Sequence, residues 1–410
     1  MASIIRNPPE TLLLSLMVKK TDNKYLQAYN QISANKYSVP MATSPPTSVA
    51  ITSATSVSFL GNLREEQTQI YNEMLTTLTS TRTCILSVHV GFGKTVLAIK
   101  CCAELGLKTL IIIPTSKKIL EHQWKEEIDR FIPNANTQIL TSKSEISPTS
   151  LVHIIGSFTI AKLAQKLAVA AAELKWFVIV DELHLVLSEK GFKNLLYIFP
   201  QYMLGLSATP YRLDGSNKLV ELFFGQTQVY KKLNRKYTVH AIFTKFTFEL
   251  KQTTAGRLNW GDVLNQQAES PERNKYIAKI VCSNPYLKFL ILCKRVVQIQ
   301  AVAQECKNSG VEIQAVHDSM KPARDARSLI GSVQKLGVGF SDSTFDALII
   351  AADIQDYFIQ YFGRILRTMD KTPIIFDIVD NCGVMFAHYN VRKEIYKDSG
   401  GTLHSIKRHS

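Results

Sequence analysis

The chain has 410 residues, 46% of them apolar, which is enough for two or three domains with sizeable cores and excludes a disordered tail. Its 48 Lys and Arg against 34 Asp and Glu give a net charge of +14, which favours a polyanionic partner, nucleic acid first, through phosphate neutralisation and counterion release. The seven cysteines, at 84, 101, 102, 282, 293, 306 and 382, form no C-x-x-C pair and no ligand spacing with histidine; they read as reduced core thiols of an intracellular protein without zinc.

Taken in chain order, residues 1–58 read as an N-terminal segment closed by a linker, because 41–58 are rich in Ser, Thr and Pro and poor in large apolar side chains. The apolar run at 12–17 is too short to span a bilayer, and no other run approaches about 18 residues, so a soluble chain with no membrane partner is expected. Residues 59–226 read as a first α/β block. Its apolar strands, such as Cys84-Ile85-Leu86-Ser87-Val88, Thr109-Leu110-Ile111-Ile112-Ile113 and Val152-His153-Ile154-Ile155-Gly156, alternate with helix-like segments, the pattern of βαβ units on a parallel sheet. After an inter-domain connection over 227–270, residues 271–410 read as a second block ending in a short basic tail. Lys288-Phe289-Leu290-Ile291-Leu292, Ala347-Leu348-Ile349-Ile350-Ala351 and Pro373-Ile374-Ile375-Phe376-Asp377 are its strands, making a second parallel sheet the economical reading.

The first strand of the first block runs into Val90-Gly91-Phe92-Gly93-Lys94-Thr95 and then into the helix-like Val96-Leu97-Ala98-Ile99. Strand, glycine-rich turn, Lys-Thr and helix make a phosphate cradle. Backbone N–H groups from Val90 to Gly93 wrap the phosphates, the Lys94 ammonium reaches the β/γ-phosphates, the Thr95 hydroxyl is placed to ligate Mg²⁺, and the helix N-terminus adds partial positive charge. A nucleoside triphosphate is the expected ligand. Val88 stands where the pattern usually has Gly or Ala.

Downstream, the apolar run Trp176-Phe177-Val178-Ile179-Val180 ends in Asp181-Glu182-Leu183-His184. Carboxylates at a strand's carboxyl end face the crevice where ligands of open α/β sheets sit. Asp181 is expected to hold Mg²⁺, and Glu182 to orient and deprotonate the attacking water. Alone, each segment has a plainer reading: a strand-to-helix turn in the first case, an acid-decorated helix N-terminus in the second.

Further segments fall in a recognisable order: Leu63-Arg64-Glu65-Glu66-Gln67, Ile113-Pro114-Thr115 with Gln123-Trp124, the Asp-Glu-Leu-His at 181, Gly205-Leu206-Ser207-Ala208-Thr209-Pro210, Gly337-Val338-Gly339-Phe340, and Gln360-Tyr361-Phe362-Gly363-Arg364-Ile365-Leu366-Arg367. The series resembles the superfamily 2 helicases of the DExH type over about residues 60–400. Within them the chain is most similar to helicases of nucleocytoplasmic large DNA viruses, whose poxviral member acts in transcript release, and to phage and XPB-type relatives. That likeness rests on Gly61-x-Leu63-Arg64-x-x-Gln67, Leu258-Asn259-Trp260, Glu272-Arg273-Asn274, Gln334-Lys335-Leu336-Gly337, Phe376-Asp377-x-x-Asp380-Asn381 and Arg392-Lys393-x-x-Tyr396.

The resemblance implies two tandem RecA-like parallel-sheet domains in an α/β chain, with a small N-terminal extension. It implies ATP and Mg²⁺ held between them, Lys94, Thr95, Asp181 and Glu182 serving from the first domain and Gln360, Arg364 and Arg367 from the second. Arg64 and Gln67 would contribute to adenine recognition. His184 with Ser207 and Thr209 would relay nucleotide state toward the nucleic-acid face, and Pro114, Thr115, Gly156 and Ser157 would grip a DNA or RNA backbone without reading its sequence. A viral member would work in the host cytoplasm or virion, with transcription machinery as a further partner. Trp124 is expected to pack in the core rather than stack on a base. One departure is that Ser332 and Ser341 stand where relatives carry Thr and Asp, with Asp342 one position on.

Overall fold

The computed structural model describes residues 2–43, 57–89, 91–115, 119–173, 176–208, 210, 214–232, 236–254, 256–317, 320, 328–336, 345–354 and 372–407. The chain divides into two units, the first comprising Met1–Val88 and Phe92–Lys231 and the second His89–Gly91 and Lys232–Ser410.

The N-terminal residues are folded. Strands β1 (Ala2–Arg6), β4 (Asn30–Ser33) and β5 (Lys36–Pro40) form an antiparallel sheet in the order β1-β5-β4, and β2 (Met17–Lys19) pairs with β3 (Tyr25–Gln27) in a hairpin that follows helix α1 (Glu10–Ser15). Leu16, Val18, Val39 and Met41 enter the same core as Val178, Val180 and Phe223 of the first α/β block. The Ala2 N–H donates to Ile198 O at 2.7 Å and Ser38 Oγ to Leu196 O at 2.6 Å. The expected segment-plus-linker over 1–58 is therefore corrected. A module this small buries too little surface to stand alone, so it spreads its apolar side chains on a neighbour's core, and Met41, placed by sequence in the linker, is part of that core. Residues 44–56 lie outside the described residues.

Behind it stand β6 (Thr83–Val88), β7 (Lys108–Ile113), β8 (Thr137–Leu140), β9 (Val152–Gly156), β10 (Trp176–Asp181), β11 (Tyr202–Leu206) and β12 (Gln228–Lys231), all parallel, in the order β12-β6-β11-β10-β7-β9-β8. Both faces are covered, which is why the central strands read as unbroken apolar runs. Helices α2 (Glu65–Thr81), α3 (Lys94–Leu105) and α4 (Ile119–Phe131) cover one face, setting Met74, Leu97, Trp124 and Ile128 against Leu86, Ile111, Phe177 and Ile179. Helix α5 (Ile160–Glu173) and the N-terminal module cover the other, against Leu110, Ile112, Val178 and Val180. The split of even and odd residues along β10 is the two-residue period of a strand.

The second unit has β13 (Tyr237–Phe243), β14 (Phe289–Cys293), β15 (Gln314–Val316), β16 (Leu329–Ser332), β17 (Ala347–Ile350), β18 (Ile374–Val379) and β19 (Gly401–Lys407), again parallel, in the order β15-β16-β14-β17-β18-β13-β19. Two of its helices start on ordinary caps. The Asn259 side chain accepts from the Asp262 N–H ahead of Trp260–Glu269, and Ser270 with Pro271 opens Pro271–Cys282. The two doubly wound sheets are the expected tandem RecA-like domains. Two expectations are corrected. Residues 227–270 are no bare connection, since β12 closes one edge of the first sheet and β13 sits inside the second. The C-terminal stretch is an edge strand, β19 on β13, rather than only a basic tail. β12 buries Val229 alone, too weak a pattern to read from sequence.

Candidate functional site

In a parallel sheet every strand ends on the same edge, and in the first unit that edge gathers most of the residues singled out by sequence. β6 ends at Val88, β10 at Asp181, β11 just before Ser207, β7 just before Pro114 and Thr115, and β9 at Gly156. With strands about 4.8 Å apart, β6 to β9 spans about 19 Å of edge.

The turn after β6 is built by two glycines in backbone conformations that L side chains rarely adopt, Gly91 at φ 85° and Gly93 at φ 107°. A Cβ on Gly93 would also lie 2.5 Å from Gln67 Nε2. Gln67 is pinned there by both ends of its amide: Oε1 accepts from the Arg64 N–H at 2.9 Å and Nε2 donates to Phe92 O at 2.6 Å, where Arg64 Nη2 also donates, at 2.8 Å. Arg64 and Gln67, expected near adenine, thus brace the turn. Phe92 is buried, and Lys94 Nζ donates to Val88 O at 3.1 Å. The Val88 side chain is core, so the departure from the usual small residue leaves only its carbonyl facing the lysine. Gly93 caps α3, whose first residues are Lys94 and Thr95, both half-buried.

At the end of β10, Asp181 Oδ1 accepts from the Glu182 N–H at 3.0 Å, and Oδ2 accepts from the Trp124 indole N–H at 2.9 Å. Glu182 lies at φ 47°, ψ 52°, a left-handed conformation unusual for a residue with a side chain, and it turns the strand into the short helix Leu183–Val186. His184 is buried, with Nδ1 2.9 Å from Ser207 Oγ and 3.7 Å from Glu182 Oε2. Farther along, Thr115 Oγ1 is 3.3 Å from Ser157 Oγ and accepts from the Phe158 N–H at 2.9 Å, while Asn194 donates to Ser157 O. Pro114, Gly156 and Ser157 are buried; Thr115 is half-buried. Val90, Thr209, Gln360, Arg364, Arg367 and the 337–342 segment with Ser341 and Asp342 lie outside the described residues.

Trp124 does pack in the core, at 2% exposure, but its bond to Asp181 is something sequence reasoning missed. Nothing in the spacing of residues 57 apart announces it. In the second unit the resemblance motifs around 273, 377, 380 and 392 form one buried network. Arg273 Nε lies 3.0 and 2.9 Å from the two Asp380 oxygens, and Arg273 Nη1 donates to Ala351 O at 2.5 Å. Arg392 donates to both oxygens of Asp377 at 2.9 Å, and Tyr396 Oη to Asp377 Oδ2 at 2.8 Å. Burial works against the Arg392 charge, yet the Asp377 carboxylate raises its pKa above the usual arginine value; burial and then Asp377 raise that of Tyr396.

Burial pushes the thiols of Cys84 and Cys293 up to about 12, which makes them poor nucleophiles. Among the described residues no three His, Cys, Asp or Glu side chains are grouped to hold a metal ion, and no helix is long and apolar enough to cross a membrane.

The family described as "Type III restriction enzyme, res subunit" matches residues 60–212. The chain is 34% identical over 425 residues to "Putative helicase 161L" of Invertebrate iridescent virus 6, a match covering 97% of this chain and 93% of that protein. It is 31% identical over 354 residues to "Putative helicase 055L" of Frog virus 3 (isolate Goorha), covering 84% and 80%. Among solved structures, "S. cerevisiae Dbp5 bound to RNA and ADP BeF3" is similar in fold, with a TM-score of 0.55 at 12% identity over 83% of this chain and 89% of that one.

Proposed function

The chain belongs to the superfamily 2 helicases of the kind carried by nucleocytoplasmic large DNA viruses, and from that premise we propose that it is a nucleic-acid-dependent ATPase that moves along or separates strands. The observation that carries this is the single sheet edge on which the glycine turn with Lys94 and Thr95, the Asp181-Glu182 pair, the His184–Ser207 bond and the Thr115–Ser157 pair all stand.

The residues fit a Mg²⁺-triphosphate. The turn is shaped by two left-handed glycines, one of them so close to the Gln67 amide that a Cβ would collide with it, and a twelve-residue helix points its N-terminus at it. Backbone N–H groups at 90–93 and the Lys94 ammonium are assigned to the phosphates, Thr95 and Asp181 to Mg²⁺. One carboxylate and one hydroxyl suit a Mg²⁺ that takes most of its ligands from phosphate and water. The ion supplies charge neutralisation on the phosphates when bound. Glu182, held in its tight turn, is assigned to take a proton from the attacking water, and its 3.7 Å approach to His184 joins that carboxylate to Ser207. Thr115 and Ser157, with Pro114 and Gly156 shaping the backbone, are assigned to the sugar-phosphate chain. Arg364 and Arg367 are assigned as the second domain's positive charge at the γ-phosphate, with the neutral Gln360 amide hydrogen-bonding beside them.

The test is an ATPase titration of the full chain with single-stranded DNA, RNA, duplex DNA and DNA–RNA hybrid. Turnover rises with polynucleotide, and the polymer that stimulates most at lowest concentration is the track; turnover indifferent to all four refutes the proposal. Strand displacement on the preferred polymer distinguishes unwinding from translocation on an intact duplex. We assign its work to viral transcription, replication or repair, and displacement of RNA from a hybrid is the result that singles out transcript release. Binding also weakens steeply with salt, as phosphate contacts require.

A further inference from the structure

We propose that Trp124 is a positioning residue for Asp181: its indole N–H fixes the carboxylate that the proposed function gives to Mg²⁺. Packing alone does not require a tryptophan here, because a phenylalanine would fill the same apolar layer beside Ile128 and Ile179. Tryptophan adds one polar group, a donor that can never accept, and a buried one needs a partner. The partner is not a nearby carbonyl but Asp181 Oδ2, at 2.9 Å. A bond to an ionised carboxylate is about twice as strong as a neutral one.

The placement follows from the fold. Residues 177, 179 and 181 share the face of β10 that α4 covers, and Trp124 and Ile128, four residues apart, are the stripe of α4 turned toward it. Oδ1 is held by the Glu182 N–H and Oδ2 by Trp124, so the plane of the carboxylate is set at both oxygens. Groups that orient a metal ligand from behind in this way are worth about 10-fold to 100-fold in metal affinity.

The proposal rests on the reading of Asp181 as the Mg²⁺ carboxylate, and the experiment separates the two. Mn²⁺, read by electron paramagnetic resonance, is titrated into the full chain with ADP. If the wild type takes up no Mn²⁺ with ADP, the assigned function fails. If the wild type binds and Trp124→Phe binds about 10-fold to 100-fold more weakly, while its metal-free ADP affinity in EDTA is unchanged, the positioning role stands. Equal Mn²⁺ affinity in the two proteins, whatever the change in melting temperature, reduces Trp124 to core filling and overturns the proposal. Should Trp124→Phe not fold, the intact chain still decides. The Trp124 indole ¹⁵N–¹H resonance, assigned by Trp176→Phe and Trp260→Phe, shifts when Mg²⁺ is added to the ADP complex; a resonance that does not move overturns the proposal.

Discussion

Replacing Gly93 by alanine challenges the turn in two separable ways. The φ of 107° costs a residue with a side chain about 1–3 kcal/mol. The added Cβ would stand 2.5 Å from Gln67 Nε2, so that amide must leave. Leaving breaks the 2.6 Å bond to Phe92 O and the 2.9 Å bond from the Arg64 N–H, at about 1 kcal/mol each. The gain from a stiffer unfolded chain, about 0.4–1 kcal/mol, opposes this. Gly93→Ala should therefore destabilise the first unit by about 2–4 kcal/mol. Gln67→Ala alone should cost about 2 kcal/mol through the same two bonds. Because it also vacates the space the Cβ needs, the double variant should be about 2 kcal/mol more stable than the two single costs predict. Urea unfolding in a Trp260→Phe background measures this, since emission then comes only from Trp124 and Trp176, both in the first sheet and its cover. Strictly additive costs would show that Gln67 and the Gly93 position do not compete, and the account of the turn would fall.

Lys94→Ala and Glu182→Gln should each abolish ATP turnover while leaving polynucleotide binding in place, as filter binding beside a phosphate-release assay would show; undiminished turnover in either removes the assigned chemistry. Burial pushes the His153 imidazole from 6.5 down to about 4. The unfolded chain therefore binds the proton more readily, so the stability is present above pH 6.5 and is lost as pH falls toward 4, by about 3 kcal/mol. His153→Gln should flatten the urea midpoint between pH 7 and 4.5, and a variant with the wild-type slope would refute the assignment. Arg392→Met leaves Asp377 buried without its guanidinium and should cost about 3–5 kcal/mol, much of it recovered on adding Asp377→Asn; a thermal melt of each variant checks it.

The two sheets were legible because buried parallel strands are continuous apolar runs, and 84–88, 109–113, 152–156 and 176–180 could hardly be anything else. The meeting of Lys94, Asp181, Ser207 and Thr115 on one edge was legible too, since each follows such a strand and parallel strands share their carboxyl end. What was hidden depends on distant partners. The N-terminal strands are short and half-exposed, and only a borrowed core makes them fold. Gln67 carries no local sign that it will reach Phe92 across 25 residues, and Trp124, rightly expected in the core, carries no sign that its indole N–H will meet Asp181.

The second unit shows the same logic at larger scale. A buried arginine–aspartate pair generally adds little stability over well-packed apolar residues, so two of them in one small domain call for another reason. Their other bonds supply it. Arg273 and Gln298 both donate to Ala351 O, Gln267 accepts from the Asp353 N–H, Arg392 donates to Asp353 Oδ1 and Ile354 O, and His388 Nδ1 lies 2.7 Å from Asp353 Oδ2. Side chains from four helices thus clamp 351–354, where the chain leaves β17. Gln360, Arg364 and Arg367 begin only six residues beyond that clamp. An apolar core could stabilise the domain as well, but it has no directional bonds with which to fix one stretch of backbone. Charge inside the second unit is best understood as fixing the backbone at 351–354, where β17 ends.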